Sequence, residues 1–441
     1  MPKMKTPLRV AVIGGGWAGL AAAVELSAAG VNVTIFEAAK QLGGRARSVD
    51  IQGQTLDNGQ HILLGAYRET LRLMQLVGAK PEQTLKRLPL ELSQPAAGFK
   101  FRLPRLPAPF HLACGLLMAR GVSLGEKWAA VRFLRALQTD DYQLDTDCTV
   151  AELLDRHQQF GTPRRFLWEP LCLAALNTAA LNASAQIFAN VLRDSLGGGR
   201  ADTDLLLPAT DLGHVFPHAA AEFVRAHGGR IHFSTRIDRL APNGAQQTIY
   251  GEHFDHVILA VAPQHASALL VEQVETAPIA TLLADYRYEP IGTVYAAYPP
   301  EVTLPCPMLG LESRQERGTT GGVGQWVFDR GALSEAPGVM SFVLSANGVW
   351  DEPDSAVLMT ALHRELEVAL GRKLPPARWH QLIRESRATF SCRPNLPRPS
   401  ARTALHGLWL AGDYVCAGYP ATLEGAVRSG VAAANGILQS P

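Results

Sequence analysis

The sequence is short of charge, of basic excess and of closely spaced cysteines. Charged residues make up 18% of its 441 residues, against roughly 25% in an average soluble protein. Lys and Arg total 41 and Asp and Glu 40, a net charge of +1. A nucleic-acid binder needs a basic excess to neutralise phosphates, and none is present. The six cysteines are Cys114, Cys148, Cys172, Cys306, Cys392 and Cys416. No pair is close enough for a CxxC pattern, so zinc and dithiol redox chemistry are poorly supported and no metal site is expected. So sparse a set in so long a chain reads as the reduced thiols of a cytoplasmic protein. Long apolar runs are missing too. The run that follows Lys3, Lys5 and Arg9 is broken by Gly14, Gly15 and Gly16, too early for a secretory leader. The longest uncharged stretch, 170–192, carries Asn177, Asn182, Gln186 and Asn190, too polar for a spanning helix. Neither a leader nor a transmembrane helix is expected.

What is present is ample apolar material, 47% hydrophobic residues, enough for two or three units sharing cores. Residues 8–13 predict a buried strand, 18–29 a helix stopped by Gly30, and 31–36 a second strand with Glu37 at its tip. From 81 the texture changes: prolines 89, 95, 104, 107 and 109 punctuate loops and short strands. Helices are predicted over 124–137, 150–159 and 164–196, an inserted cap. A helix over 213–227 and strands over 230–240 and 254–262 return to the first sheet. Alternation over 286–298, 322–329 and 338–345 predicts a second, mixed sheet. A helix follows over 355–370, then a strand at 408–411 and a final Ala- and Gly-rich helix.

Gly14-Gly15-Gly16-Trp17-Ala18-Gly19 fits GxGxxG between that first strand and helix. Gly14 permits the tight turn, Gly16 lets backbone approach a pyrophosphate, and Gly19 lets the helix pack on the strand. Glu37 is placed to accept ribose hydroxyls. Two further elements exceed the needs of a nicotinamide enzyme: Gly43-Gly44-Arg45, and Leu410-Ala411-Gly412-Asp413 before the last helix. An extended flavin needs both.

These residues resemble the flavin amine oxidase and phytoene desaturase superfamily. The resemblance implies an α/β fold: a doubly wound, Rossmann-like FAD domain from 1–80, 205–275 and 396–441. An α+β substrate domain, mixed sheet plus helical cap, is inserted from 81–204 and 276–395. It implies FAD contacts from Gly14, Gly16, Trp17, Ala18, Gly19, Glu37, Gly44 and Arg45, and from Gly59, Gln60 and His61 in a loop beside the flavin. Ile237, in an adenine-contacting strand, and Ala260 would join them, with Gly412, Asp413, Thr422, Leu423 and Ala426 closing the site.

Asp57-Asn58-Gly59-Gln60-His61, Trp168-Glu169-Pro170-Leu171-Cys172, Leu192-Arg193-Asp194-Ser195 and Gly418-Tyr419-Pro420-Ala421-Thr422 occur together. They resemble the squalene-associated FAD-dependent desaturases, the family of hydroxysqualene dehydroxylases. Ala179-Ala180 departs from it, standing where a proline-containing stretch is expected. The resemblance implies reductive loss of the hydroxyl from a C30 allylic alcohol, in squalene and hopanoid biosynthesis. Hydroxide leaves poorly, so an acid should assist, and Tyr419 and His61 are the candidates. The partners implied are the long isoprenoid and an electron donor outside the chain, with a substrate tunnel of Leu, Phe, Trp and Met. Segment 99–117, with Phe110, Leu112, Leu116 and Leu117 among Arg102, Arg105 and Arg120, is a candidate peripheral membrane contact. The alternatives are an oxidative phytoene-type desaturase, a flavin amine oxidase and a non-catalytic flavin binder.

Overall fold

An uncharged, β-branched run gains most from burial on both faces, and β1 (Arg9–Ile13) obtains it, with Val10 to Ile13 all buried. The structure is a computed structural model describing residues 8–243, 246–311, 322–351 and 354–440; Lys3 and Lys5 lie outside the described residues. Helix α1 (Trp17–Ala28) and strand β2 (Asn32–Phe36) complete one βαβ unit. Three strands from distant parts of the chain join them: β3 (Arg230–His232), β4 (His256–Leu259) and β5 (Leu408–Leu410). All pairings are parallel, and the order is 3-2-1-4-5. Strand order reverses between β1 and β4, the switch point at which doubly wound sheets bind ligands.

A second sheet joins Met308–Gly310, Trp326–Asp329, Val339–Ser345, Tyr288–Ala297 and Trp379–Phe390 in that order. Its pairings are all antiparallel, not mixed. The long edge strand Trp379–Phe390 has no counterpart in the sequence reading. Its Arg384, Glu385 and Arg387 hide the alternation, as charges on an edge strand do.

The cap contains α2 (Phe110–Met118), α3 (Leu124–Thr139), α4 (Glu169–Leu176) and α5 (Ala185–Leu196). The single helix expected over 164–196 is broken. It begins as a π-turn, Arg164–Trp168, and α4 ends at Asn177, whose φ of 46° is left-handed. The Asn177 side chain donates to Thr389 Oγ1 at 3.0 Å and accepts from Ala346 N–H at 2.8 Å. The break therefore ties cap to second sheet. Ser184 then caps α5, accepting from Ile187 N–H.

Two further expectations are corrected. The helix over 213–227 divides at Phe216, where the following Pro217 disfavours helical backbone. The strand from 230 stops at His232, because left-handed Ser234 turns the chain and bonds Ala39 O. Within 99–117 the apolar residues also split: Phe99, Phe101 and Leu116 are buried, whereas Phe110 and Leu117 are exposed.

The final helix, Leu423–Leu438, packs along α1, and at Gly430 any side chain would press into Ala18 O. Its fully buried Glu424 reaches the start of helix Arg68–Leu76. There the carboxylate accepts from Glu69 N–H at 3.1 Å, Thr70 N–H at 2.9 Å and Thr70 Oγ1 at 2.7 Å, while Arg428 Nε donates to it at 2.8 Å. One acid thus caps another helix and neutralises a cation. Glu424→Ala is expected to lower unfolding stability by about 2–3 kcal/mol, since it leaves two helix N–H groups without their acceptor and Arg428 with only the longer Asp194 contact. Glu424→Gln, which keeps an acceptor, should lose less. Chemical denaturation of the two variants checks the ranking.

Candidate active site

The carboxyl ends of the parallel strands open onto a cavity of about 1520 Å³, continuous with the space beneath the second sheet and the cap. Sites for one drug-sized ligand hold roughly 300–1,000 Å³, so there is room for a large cofactor and a second molecule. Among the described residues no cluster of His, Cys, Asp or Glu could hold a metal.

Of the residues expected to hold a flavin, Gly14, Gly16, Trp17, Ala18, Glu37, Gly44, Arg45, Gly59, Gln60, His61, Ile237, Ala260, Gly412, Asp413, Thr422, Leu423 and Ala426 line the cavity. Gly19 does not, and neither does Tyr419, the candidate acid. Gly19 lies behind the turn, where a side chain would strike Gly14 O. Its role is to let α1 sit on the turn. Gly14 has a φ of 106° and passes too close to Ala260 O for any side chain. No side chain caps α1 at Gly16, so its first N–H groups remain for an anion at the helix's positive end. Ile237 belongs to a coil rather than a strand.

Glu37 is fixed at the tip of β2, accepting from Gly15 N–H at 2.6 Å and Ala39 N–H at 2.7 Å. A carboxylate offers about four acceptor positions, so two remain for ribose hydroxyls. Asp413 pairs through Oδ2 with Arg45 at 2.7 Å. Its Oδ1 is buried with no hydrogen-bond partner. A buried acceptor of that kind needs a donor, and the hydroxyls of a ribityl chain would supply one. The final helix starts at the cavity wall with Thr422 as its cap, accepting from Gly425 N–H at 3.1 Å. The glycine cradle, the acid at β2, the orphaned Asp413 oxygen and two helix N-termini together fit FAD.

His61 Nδ1 lies 2.8 Å from Gly59 O. A carbonyl only accepts, so Nδ1 carries the hydrogen and Nε2 is left with the lone pair. Burial holds the His61 pKa below its ordinary value. Tyr419, the other expected acid, is buried away from the cavity with the Arg428 guanidinium 4.5 Å from its ring centre. Burial raises its phenol pKa far beyond the usual range. Its hydroxyl is not among the groups that face the cavity.

Phe166, Leu173, Leu269, Ile291, Trp326 and Phe328 stand in the cavity walls, beside Arg164, Arg165, Glu169 and Gln325, and no methionine is among the described lining residues. Asn177, quoted from the sequence without a role, and the segment Arg384 to Thr389, which the sequence reading did not mark, line the cavity as well. Asn58 was quoted but given no role. It donates to Arg45 O at 2.8 Å and accepts from Arg47 N–H at 3.1 Å, which fixes the arginine turn.

Comparison with known proteins gives three findings. The model of the family described as flavin containing amine oxidoreductase matches residues 17–438. A hydroxysqualene dehydroxylase of Rhodopseudomonas palustris is 30% identical over 97% of this chain and 98% of its own length, whereas a zeta-carotene desaturase of Synechocystis sp. is 44% identical over only 18% of this chain and 16% of its own. A putative protoporphyrinogen oxidase from Exiguobacterium sp. 255-15 shares the fold, with a TM-score of 0.69 at 18% identity, covering 99% of this chain and all of that one.

Asp57 stands just behind the loop that carries His61. Its carboxylate accepts from Leu212 N–H at 2.7 Å, and its carbonyl accepts from Tyr295 Oη at 3.0 Å. Burial pushes its pKa up to about 7, partly offset by the Leu212 hydrogen bond. In the unfolded chain it ionises near about 4. The folded protein therefore keeps a proton that the unfolded chain releases between those values, so Asp57 erodes stability as pH rises from about 4 to about 7, fully so above it. Asp57→Asn keeps the acceptor without the charge. Its Tm relative to wild type should climb between about pH 4 and about pH 7 and level off above; a difference that ignores pH would mean the carboxyl ionises normally.

Proposed function

Because the chain belongs to the flavin-containing amine oxidoreductases and, within them, to the hydroxysqualene dehydroxylases, we propose that it reductively removes the hydroxyl of hydroxysqualene. The products are squalene and water, within squalene and hopanoid biosynthesis. The protein is an FAD-dependent oxidoreductase. The observation that carries the substrate reading is the cavity itself: one continuous space whose lining joins the glycine turns and carboxylates that fit FAD to Phe166, Leu173, Trp326 and Phe328, which suit hydrocarbon.

FAD, bound and reduced, would be the source of the hydride and its electron pair. The chain's own residues set the conditions. Gly14, Gly16, Glu37, Arg45 and Asp413 hold and orient the dinucleotide. Phe166, Leu173, Trp326 and Phe328 exclude water from the reacting carbon, which protects an electron-poor allylic centre from side reactions. His61 is the proposed acid. Its Nδ1–H is committed to Gly59 O, so Nε2 is the atom that carries a proton to the leaving hydroxyl. Burial disfavours the imidazolium, and negative charge in the cavity favours it. In the balance, the C–O bond breaks, a C–H bond forms from the hydride, and the released hydroxide takes the proton as water.

The electrons come from a donor outside the chain. A C30 hydrocarbon partitions into bilayers, so the same proposal puts the protein in peripheral contact with a membrane on its cytoplasmic side. The absence of disulfides supports a reducing compartment: all six cysteines are free.

Anaerobic, chemically reduced protein mixed with hydroxysqualene should form squalene in proportion to flavin reoxidised, as read by mass spectrometry. Recovery of unchanged alcohol with flavin bound would refute the reading. His61→Ala should slow this turnover at least about 100-fold with flavin retained, whereas Tyr419→Phe should stay within about threefold of wild type.

A further inference from the structure

Scattered exposed apolar side chains are ordinary, but a contiguous set is not. Here they collect on adjoining elements of the cap. Leu117 and Met118, at the end of α2, are 67% and 71% exposed; Leu124 and Trp128, in the first turns of α3, are 70% and 65% exposed; and Phe160 is 55% exposed. Two hydrogen bonds stitch these elements together. Lys127 Nζ donates to Leu117 O at 2.6 Å, and Glu126 accepts from Thr162 N–H at 2.9 Å, just beyond Phe160. Gly161, the residue after Phe160, lines the cavity, and so does the exposed Leu181. The apolar surface therefore leads to the cavity mouth. The inner faces of the same helices are fully used: Leu116 of α2 and Phe133, Leu134 and Leu137 of α3 are buried.

Charge identifies the occupant. Spaced at i, i+4, i+8 and i+11, the outer stripe of α3 reads Leu124, Trp128, Arg132, Arg135. Arg132 lies about 6 Å along the axis from Trp128. Arg120, Arg132 and Arg135 are exposed and carry no ion pair among the described residues. Three acids of the cap are engaged, whereas Asp140 and Asp141 stay exposed beyond the end of α3. Glu126 accepts from Ser123 and Thr162, and Asp155 and Glu169 both pair with Arg164. An apolar tip beside a basic band, with an aromatic at the boundary, matches hydrocarbon beneath phosphate headgroups. Pairing of this face with a second copy about a two-fold axis would instead set its basic bands into a shared interface.

We propose that this face, built from α2, α3 and Phe160, seats the protein on an anionic phospholipid bilayer and holds the cavity mouth against it. It rests on the C30 reading above and adds where the chain sits and what draws it there. The apolar tip enters the acyl boundary, the arginines meet phosphate, and the substrate passes from membrane to cavity without crossing water.

The test is flotation of the full-length, flavin-loaded protein with phosphatidylcholine vesicles, with and without phosphatidylglycerol. Wild type should float with the anionic vesicles and be released by salt. Leu117→Glu combined with Trp128→Glu should weaken binding at least about tenfold, and Arg132→Glu combined with Arg135→Glu about tenfold with a shallower salt dependence. Both variants lie outside the cavity. They should keep flavin, Tm and turnover of detergent-dispersed hydroxysqualene, while losing turnover of vesicle-borne substrate. Wild type that does not float, variants that float equally, or a concentration-dependent dimer that these substitutions dissolve would each overturn the proposal. Flotation reads the surface without chemistry, so loss of squalene formation with flotation intact would refute the reaction reading and leave the membrane seat supported.

Discussion

The Arg45 guanidinium reaches across 368 residues of sequence to Asp413, and its other arm donates to Ala388 O on the longest strand of the second sheet. Three chain segments with no local reason to meet are thus held at one point on the cavity wall. Arginine suits this role because its planar fork serves two acceptors at once. Asn58 braces the turn that presents it. Were this contact absent, the first βαβ unit, the closing motif and the substrate sheet would each keep their own hydrogen bonds, but the wall they share would lose its corner. The pairing also leaves one Asp413 oxygen unpartnered, so it shapes the cavity's chemistry as well as its outline.

The cavity is a gradient. At the parallel sheet it offers glycine turns, helix starts and the side chains of Glu37, Arg45 and Asp413. Toward the cap it adds aromatic and aliphatic walls, with Arg164, Arg165 and Glu169 among them. Asn177 stands at the seam, ending a cap helix and holding the second sheet in the same residue. The polar end can orient a charged dinucleotide, the apolar end can keep water from a hydrocarbon, and the two meet without a partition.

What could be read from the sequence follows the same gradient. β1, α1 and β2 declared themselves because an uncharged run, a glycine turn and a stopping glycine have few other uses. The final helix did so because small residues at its inner face, Gly430 above all, are needed where backbones touch. Local pattern failed where tertiary context decides. The charged edge strand Trp379–Phe390 carries no apolar stripe, yet it supplies cavity wall. The helix over 164–196 looks continuous until Asn177 turns left-handed to reach partners more than a hundred residues away. Tyr419 sits beside a cofactor motif in sequence, but its ring faces Arg428 rather than the cavity. Proximity in the chain placed the backbone correctly there and the side chain wrongly.

The parallel sheet is complete only when β5 pairs with β4, and the chain builds the whole second sheet between Leu259 and Leu408. On a ribosome, the nucleotide turn is therefore made first and its opposite wall almost last. Pairings of such long sequence separation form slowly, and until they do, the buried faces of β4 and α1 stay open to wrong partners. A molecule that bridges the early glycine turn and the late Asp413 would join the two ends of the polypeptide in a single step. A cofactor held there would touch both the first-made turn and the last-made wall.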